Sequence, residues 1–267
     1  MSVQTLYTAA TGMNALQTKL DVIAHNLANI NTIAFKKNRA NFEDLLYRQE
    51  VLPGVQDDGG GQTATGTAVG LGVRVSGVQT DFQQGTYLET GNKLDVLIEG
   101  RGFFQVQDTT GETLYTRAGN FSINRAGNLV VGSASTGRLL SPTVTIPQDA
   151  VDVEIKPDGR VLAYLQNNPQ PQQVAKIQLA TFINPEGLLK RGENLFAETD
   201  ASGSPTTNDP GQPGTGLLRG GFLEASNVDP VKELIDLITT QRSFELNSEA
   251  VKAGDQMLQV ISTLRSP

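Results

Sequence analysis

From Leu6 onward the apolar residues fall alternately three and four apart: Leu6, Ala9, Met13, Leu16, Leu20, Ile23, Leu27 and Ile30. This is the heptad spacing of a helix that buries one continuous stripe against a partner helix. No proline interrupts the run and Ser2 stands where an N-cap is wanted. The spacing therefore predicts a helix from about residue 3 to about residue 31, roughly 40 Å long. The rest of its surface is pale. Between Ser2 and Asn31 the formal charges are Lys19 and Asp21, and the flanks of the stripe are Ala10, Gly12, Gln17, Lys19, Ala24 and Asn26. A solvated two-stranded coiled coil carries Glu and Lys at those flanks. A core helix of an ordinary monomer explains the stripe, whereas a helix packed on several sides explains the stripe and the flanks together.

The other end of the chain repeats the theme. Asp229 and Pro230 read as N-cap and first helical residue, and the pattern then runs to about Arg265. Leu237, Phe244, Val251 and Leu258 share one heptad position, with Leu234 before and Ile261 after. The second stripe, Thr240, Asn247 and Gly254, is weak, so this helix needs a strongly apolar partner and the N-terminal helix is one.

Between the helices the period changes to two. Val69, Leu71, Val73 and Val75 alternate with Gly70, Gly72, Arg74 and Ser76, which predicts one strand with a nearly bare face. Turn signals at "DTTGET" from Asp108, "NRAGN" from Asn124 and "KPDGR" from Lys156 separate alternating runs. The last is expected to join Val151–Ile155 to Val161–Leu165 as a hairpin. "GRGFF" from Gly100 reads as a buried turn packing Phe103 and Phe104 beneath a sheet. Pro53–Gly66 and Thr199–Gly216, rich in Gly, Pro, Asp and Thr, read as linkers or as segments that order on assembly. The expected class is α+β: long N- and C-terminal helices paired as a coiled-coil-like module, with a central antiparallel β domain.

Composition removes several functions. With 21 Lys plus Arg against 28 Asp plus Glu the chain has no basic field for nucleic acid. It has no cysteine, hence no disulfide and no thiolate chemistry, and no basic start followed by a compact apolar block of a cleavable signal peptide. His25 is the single histidine, which rules out multi-histidine metal centres and leaves a triad one possible member. No phosphate-binding glycine loop is present, and "GLGVRV" from Gly70 lacks the third glycine of a dinucleotide fingerprint. No cofactor or metal is expected. The enzymatic rival is a glycosidase built from acids on separate loops, in a secreted carbohydrate-active β protein.

The stretch "AATGMNALQTKLDVIAHNLANINT" with the following "FKK" resembles the N-terminal motif of the axial proteins of the bacterial flagellum, which include its rod and hook subunits. "GNKLDVLIEGRGFFQV" and "YTRAGNFSINRAGNLV" resemble the β domain of that family, and "GFLEASNVDPVKELIDLITTQRSFELNS" its C-terminal motif. Tyr47–Arg74 resembles the extension typical of distal rod subunits; a proximal rod or hook-like subunit is the nearer rival. Two positions depart from the pattern: His25 where the family generally has Asn, and Ala34 where it generally has Gly.

The resemblance implies a helical homopolymer whose inner layer is the paired terminal helices. Partners implied with it are the proximal rod and hook-side axial proteins, basal-body ring proteins and the flagellar type III export apparatus, which would deliver the chain without a cleaved signal peptide. The implied organisation is 1–35 with 228–267 as helical module, 36–75 as extension and 76–227 as β domain. Subunit packing is then expected from Leu6, Met13, Leu16, Leu20, Ile23, Asn26, Leu27, Asn29, Ile30, Asn31, Leu237, Phe244, Val251 and Leu258. Asn26, Asn29 and Asn31 are expected to end the helix and bond backbone of their own or adjoining subunits. Val69, Gly70, Leu71, Gly72 and Val73 are expected to stiffen the rod by lying against neighbours.

Overall fold

A computed structural model describes residues 3–54, 65–108, 110–166 and 168–264. The Ser2 cap, Arg265 and most of Pro53–Gly66 therefore lie outside the described residues. The chain forms two compact units. The first holds the described parts of Met1–Ala28, Asn38–Thr80 and Asp229–Pro267, and the second holds Asn29–Lys37 with the described parts of Asp81–Val228.

The first unit contains helix α1 (Val3–Ala28), strands β1 (Asn38–Asp44), β2 (Tyr47–Val51), β3 (Thr67–Gly70) and β4 (Val73–Thr80), and helix α2 (Pro230–Leu264). The class is α+β, with a helix at each end and a β-rich unit. Helix α1 stops three residues earlier than its stripe suggests, because Asn29 turns the chain: its carbonyl accepts the Thr32 N–H at 3.1 Å and its Oδ1 the Thr32 hydroxyl at 3.0 Å. Helix α2 begins as expected. Asp229 Oδ1 accepts the backbone N–H groups of Val231 (3.1 Å) and Lys232 (3.4 Å), and the Lys232 N–H in particular holds the Asp229 carboxyl below its ordinary range.

The single strand expected over Val69–Val75 is two strands. The chain breaks at Leu71 and Gly72, where Gly72 takes φ of 129°, a conformation open to glycine. Strand β4 pairs with β1 and β3 with β2, both antiparallel. Two backbone bonds carry the ladder through the break, Leu45 N–H to Gly72 O (2.8 Å) and Leu71 N–H to Leu46 O (3.0 Å). The result is one kinked two-stranded ribbon.

The second unit begins with β5 (Tyr87–Glu89), β6 (Val96–Glu99), β7 (Phe103–Gln107), β8 (Thr113–Thr116), β9 (Phe121–Ile123), β10 (Leu129–Val131) and β11 (Arg138–Ser141). It continues with β12 (Ala150–Ile155), β13 (Arg160–Leu165), β14 (Asn168–Lys176), β15 (Leu179–Thr181), β16 (Leu189–Gly192) and β17 (Leu195–Ala197). Strands β18 (Thr206–Asn208), β19 (Leu217–Gly220) and β20 (Phe222–Glu224) complete it. The main sheet runs β16-β17-β8-β7-β11-β10-β9, with β15 also on β7 and β18 on β15. The expected hairpin forms between β12 and β13, where Ile155 faces Val161, and the other two turn signals also join paired strands, β7 with β8 and β9 with β10.

Phe103 and Phe104 do not pack together beneath one face. They alternate across β7. Phe104 joins the main core with Val96, Val106, Leu129 and Leu179, whereas Phe103 joins an aromatic cluster with Tyr115, Phe182 and Phe196 on the other side. Thr199–Gly216, expected to lack structure of its own, is ordered here. Thr206–Asn208 pairs with β15, the Thr199 hydroxyl donates to Gly187 O (2.6 Å), and Gly216 N–H to Arg101 O (2.7 Å).

The segment Asn29–Lys37 packs as a strap in the β unit, with Ala34, Phe35 and Lys36 all buried. Ala34 has φ of 57°, so the alanine in place of glycine stands in a left-handed conformation at a cost on the order of 1 kcal/mol. Its N–H donates to Glu224 O at 2.7 Å. The Lys36 ammonium reaches Glu224 Oε1 at 2.6 Å and Gln83 O at 2.7 Å. Glu224 Oε2 accepts Arg117 Nε at 2.9 Å, and Oε1 also accepts the Gly85 N–H at 3.0 Å. The remaining Arg117 donors go to the carbonyls of Ile98, Gly100 and Gly102.

Burial alone would raise the Glu224 carboxyl, but Arg117 and Lys36 outweigh it and hold the group below its ordinary range. Burial draws the Lys36 ammonium down, offset in part by Glu224. A carboxyl whose folded pKa is depressed contributes stability that is complete above its unfolded value, about 4.3, and is lost as pH falls through the folded value. Glu224→Gln leaves two buried cations without a counter-charge and should destabilise the β unit by about 3–5 kcal/mol. Hydrogen exchange of the β6–β8 amides measures this, with the wild-type protein losing protection on acidification and the variant lacking that component. Equal protection in both at neutral pH would show that the cluster contributes nothing net.

Candidate assembly site

The heptad stripe of α1 is buried or half-buried along its length: Ile23 is buried, and Leu6, Met13, Leu16, Leu20 and Leu27 are half-buried. Helix α2 meets it chiefly through the stripe that looks weak in the sequence. Glu233, Thr240 and Gly254 are buried and Asn247 half-buried, each seven residues from the next. Leu237, Phe244 and Val251 flank this line half-buried, and Leu258 is exposed. The small stripe admits large neighbours. A Cβ at Gly254 would collide with Leu6, and one at Gly12 would stand 3.4 Å from the Asn247 amide.

Asn26 is almost fully buried within its own chain. Its Oδ1 accepts the Asn38 N–H and its Nδ2 donates to Asn38 O, both at 2.9 Å, with Glu233 Oε2 at 3.2 Å from the same amide nitrogen. Asn29, Ile30 and Asn31 belong instead to the strap of the β unit, where Ile30 is half-buried and Asn31 exposed. The expected packing residues are thus divided between the two units. His25 is exposed, 3.4 Å from the Asn38 amide.

One surface was not singled out by the heptad reading. Val231, Ile235, Ile238, Leu246, Met257 and Val260 are all exposed, Leu246 by 66%. At about 100° per residue they share one side of α2, opposite Thr240 and Asn247, where the exposed Arg242 and Glu249 divide them into two groups, Val231 to Ile238 and Leu246 to Val260. The signal was present in the first turns as apolar residues at i, i+4 and i+7. Exposed aliphatic groups of this kind on one side of a helix are surface fit for burial.

Comparison with known proteins gives the context. A family model described as Flagella basal body rod protein matches residues 6–36, and Flagellar basal body rod FlgEFG protein C-terminal matches 219–264. Flagellar hook protein FlgE/F/G D1 domain matches 97–163. The chain is 47% identical over 265 residues to the Flagellar basal-body rod protein FlgG of Caulobacter vibrioides, covering 99% of this chain and 100% of the relative. The chain belongs to the flagellar basal-body rod protein family. The rod protein is also 44% identical to FlgG of Agrobacterium fabrum, over 97% of this chain and 98% of that one. FlgG of Buchnera aphidicola subsp. Baizongia pistaciae is 40% identical, over 98% and 100%. It is therefore a structural subunit of the flagellar rod, in the basal body.

The ribbon of the rod protein carries the expected stiffening residues at its kink: Val69 and Gly70 in β3, Leu71 and Gly72 at the break, Val73 in β4. Leu46 (82%) and Tyr47 beside the kink are exposed, as is Leu52 just past the far end of β2. A two-stranded ribbon is marginal in water. Its exposed apolar residues form a second surface fit for burial.

Gly254→Val should expel Leu6 from the helix pair and cost about 1–3 kcal/mol by overpacking. A lowered melting midpoint of the helical circular dichroism signal in the rod protein checks this, and an unchanged midpoint would mean that the seam tolerates separation there.

Proposed function

We propose that this rod protein is the distal rod subunit, self-assembling into a straight, rigid helical tube that transmits motor torque across the periplasm to the hook. The observation that carries the reading is the outward aliphatic side of α2, a strip interrupted by Arg242 and Glu249, on a chain whose relatives are rod proteins at full length. Helices α1 and α2 act as a coiled-coil-like pair in the inner layer, and the strip packs on the helices of neighbouring copies. Leu237, Phe244, Val251 and Leu258 shape the edge of that contact with Met13, Leu16 and Leu20.

The ribbon is the stiffening element. Laid against neighbours through Val69–Val73 and the exposed Leu46 and Tyr47, it resists the sliding of subunits that lets a hook bend. Proximal rod and hook-side axial proteins cap the two ends of the tube, ring proteins surround it, and the type III export apparatus delivers the chain. The reading includes no catalysis, no cofactor and no nucleic acid.

A tag inserted at the exposed Gln212 and imaged on isolated basal bodies should fall along the outer half of the straight shaft. Label on the hook or beside the inner membrane would move the subunit to another axial position. Ile238→Glu, on the exposed strip, should change monomer stability by less than about 0.5 kcal/mol and abolish swimming in soft agar. Normal swimming of that variant would remove the strip from the interface.

A further inference from the structure

The pair of strands β1 and β4 lies beside α1 and is attached to it at two places, one on each strand. At one end Asn26 makes its reciprocal pair of bonds with the backbone of Asn38, whose strand partner is Thr80. At the other end the Val73 N–H points to Thr11 Oγ1 at 3.4 Å, while that hydroxyl donates to Thr8 O at 2.8 Å. The spans agree. The helix from Thr11 to Asn26 rises about 22 Å, and the strand from Asn38 to Asp44, opposite Val73, about 20 Å.

Gly72 makes the second attachment possible. Its backbone comes so close to α1 that a Cβ would collide with Thr11 Oγ1 and stand 3.3 Å from Thr11 Cβ. Its positive φ falls at the break between β3 and β4, where the regular strand is interrupted. A ribbon held at one point swivels, whereas one held at both ends of its base has a set direction.

We propose that Thr11 and Gly72 form a clasp that fixes the direction of the ribbon on the first helix of its own chain, making helix and ribbon one rigid piece. The proposal deepens the rod reading and rests on it for its biological meaning. Rod straightness is then prepared inside each subunit, by positioning residues, before neighbouring copies meet.

The absence of native cysteine makes a direct test possible. In a Thr11→Cys/Gly72→Cys chain the two Cβ atoms lie close to the spacing of about 3.5–4.5 Å that a disulfide needs. Oxidation of isolated basal bodies should give, in most copies, a single-chain species with residues 11 and 72 cross-linked, the disulfide standing in for the hydroxyl contact. A ladder of chains cross-linked to one another, or cysteines that stay reduced within intact rods, would overturn the clasp while leaving the rod assignment standing. Absence of the wild-type chain from basal bodies would overturn the rod reading itself. If the double variant does not assemble, Gly72→Ala is compared with Gly77→Ala, a glycine of the same strand with nothing within 4 Å of its would-be Cβ. Gly72→Ala should lose swimming while Gly77→Ala keeps it, and equal swimming of the two would count against the clasp.

Discussion

The carboxylate of Glu224 holds the β unit together. It accepts from Lys36, Arg117 and the Gly85 backbone, and its own carbonyl accepts from Ala34. Four stretches of chain, 188 residues apart at the extreme, meet on one side chain. Removing a charge from water costs several kcal/mol, and the cost is met here only because every oxygen is bonded and two cations face one anion. The arrangement gives specificity as well as stability. The strap is joined to β20 through both side chain and backbone, Lys36 to the Glu224 carboxylate and the Ala34 N–H to the Glu224 backbone carbonyl.

The long elements were legible because their signals are local. The α1 stripe, the Asp229–Pro230 start of α2 and the hairpin turns follow from spacing and turn chemistry over a few residues. What stayed hidden depends on distant partners. Nothing near Lys36 announces Glu224, and the strap reads as the end of a helix because Ile30 continues the stripe. The run Val69–Val75 alternates as one strand should, yet the close approach of Thr11 to Gly72 breaks it. Thr199–Gly216 has the composition of a linker, but its partners lie elsewhere in the chain: Thr206–Asn208 pairs with β15, and Thr199 and Gly216 bond the carbonyls of Gly187 and Arg101.

The helix pair shows why the candidate assembly site was only half legible. Large residues attract attention as a seam, but α2 turns its small and polar line to α1. Small and polar residues at Thr240, Asn247 and Gly254 allow close approach inside the chain, and the large aliphatic residues from Val231 to Val260 are left outward. The pale flanks of α1 follow the same logic, since Gly12 and Asn26 are contact positions that a charge would spoil.

The pairing of β6 with β19 and of β5 with β20 has a kinetic side. Leu97 waits for Arg219, and Leu88 for Leu223, across more than a hundred residues of intervening chain. Such non-local closure slows folding, because loop entropy is lost before any contact returns it. A chain that emerges with its amino end first cannot complete this unit until nearly all of it has emerged. The topology therefore keeps the partly emerged chain open, and closes it late.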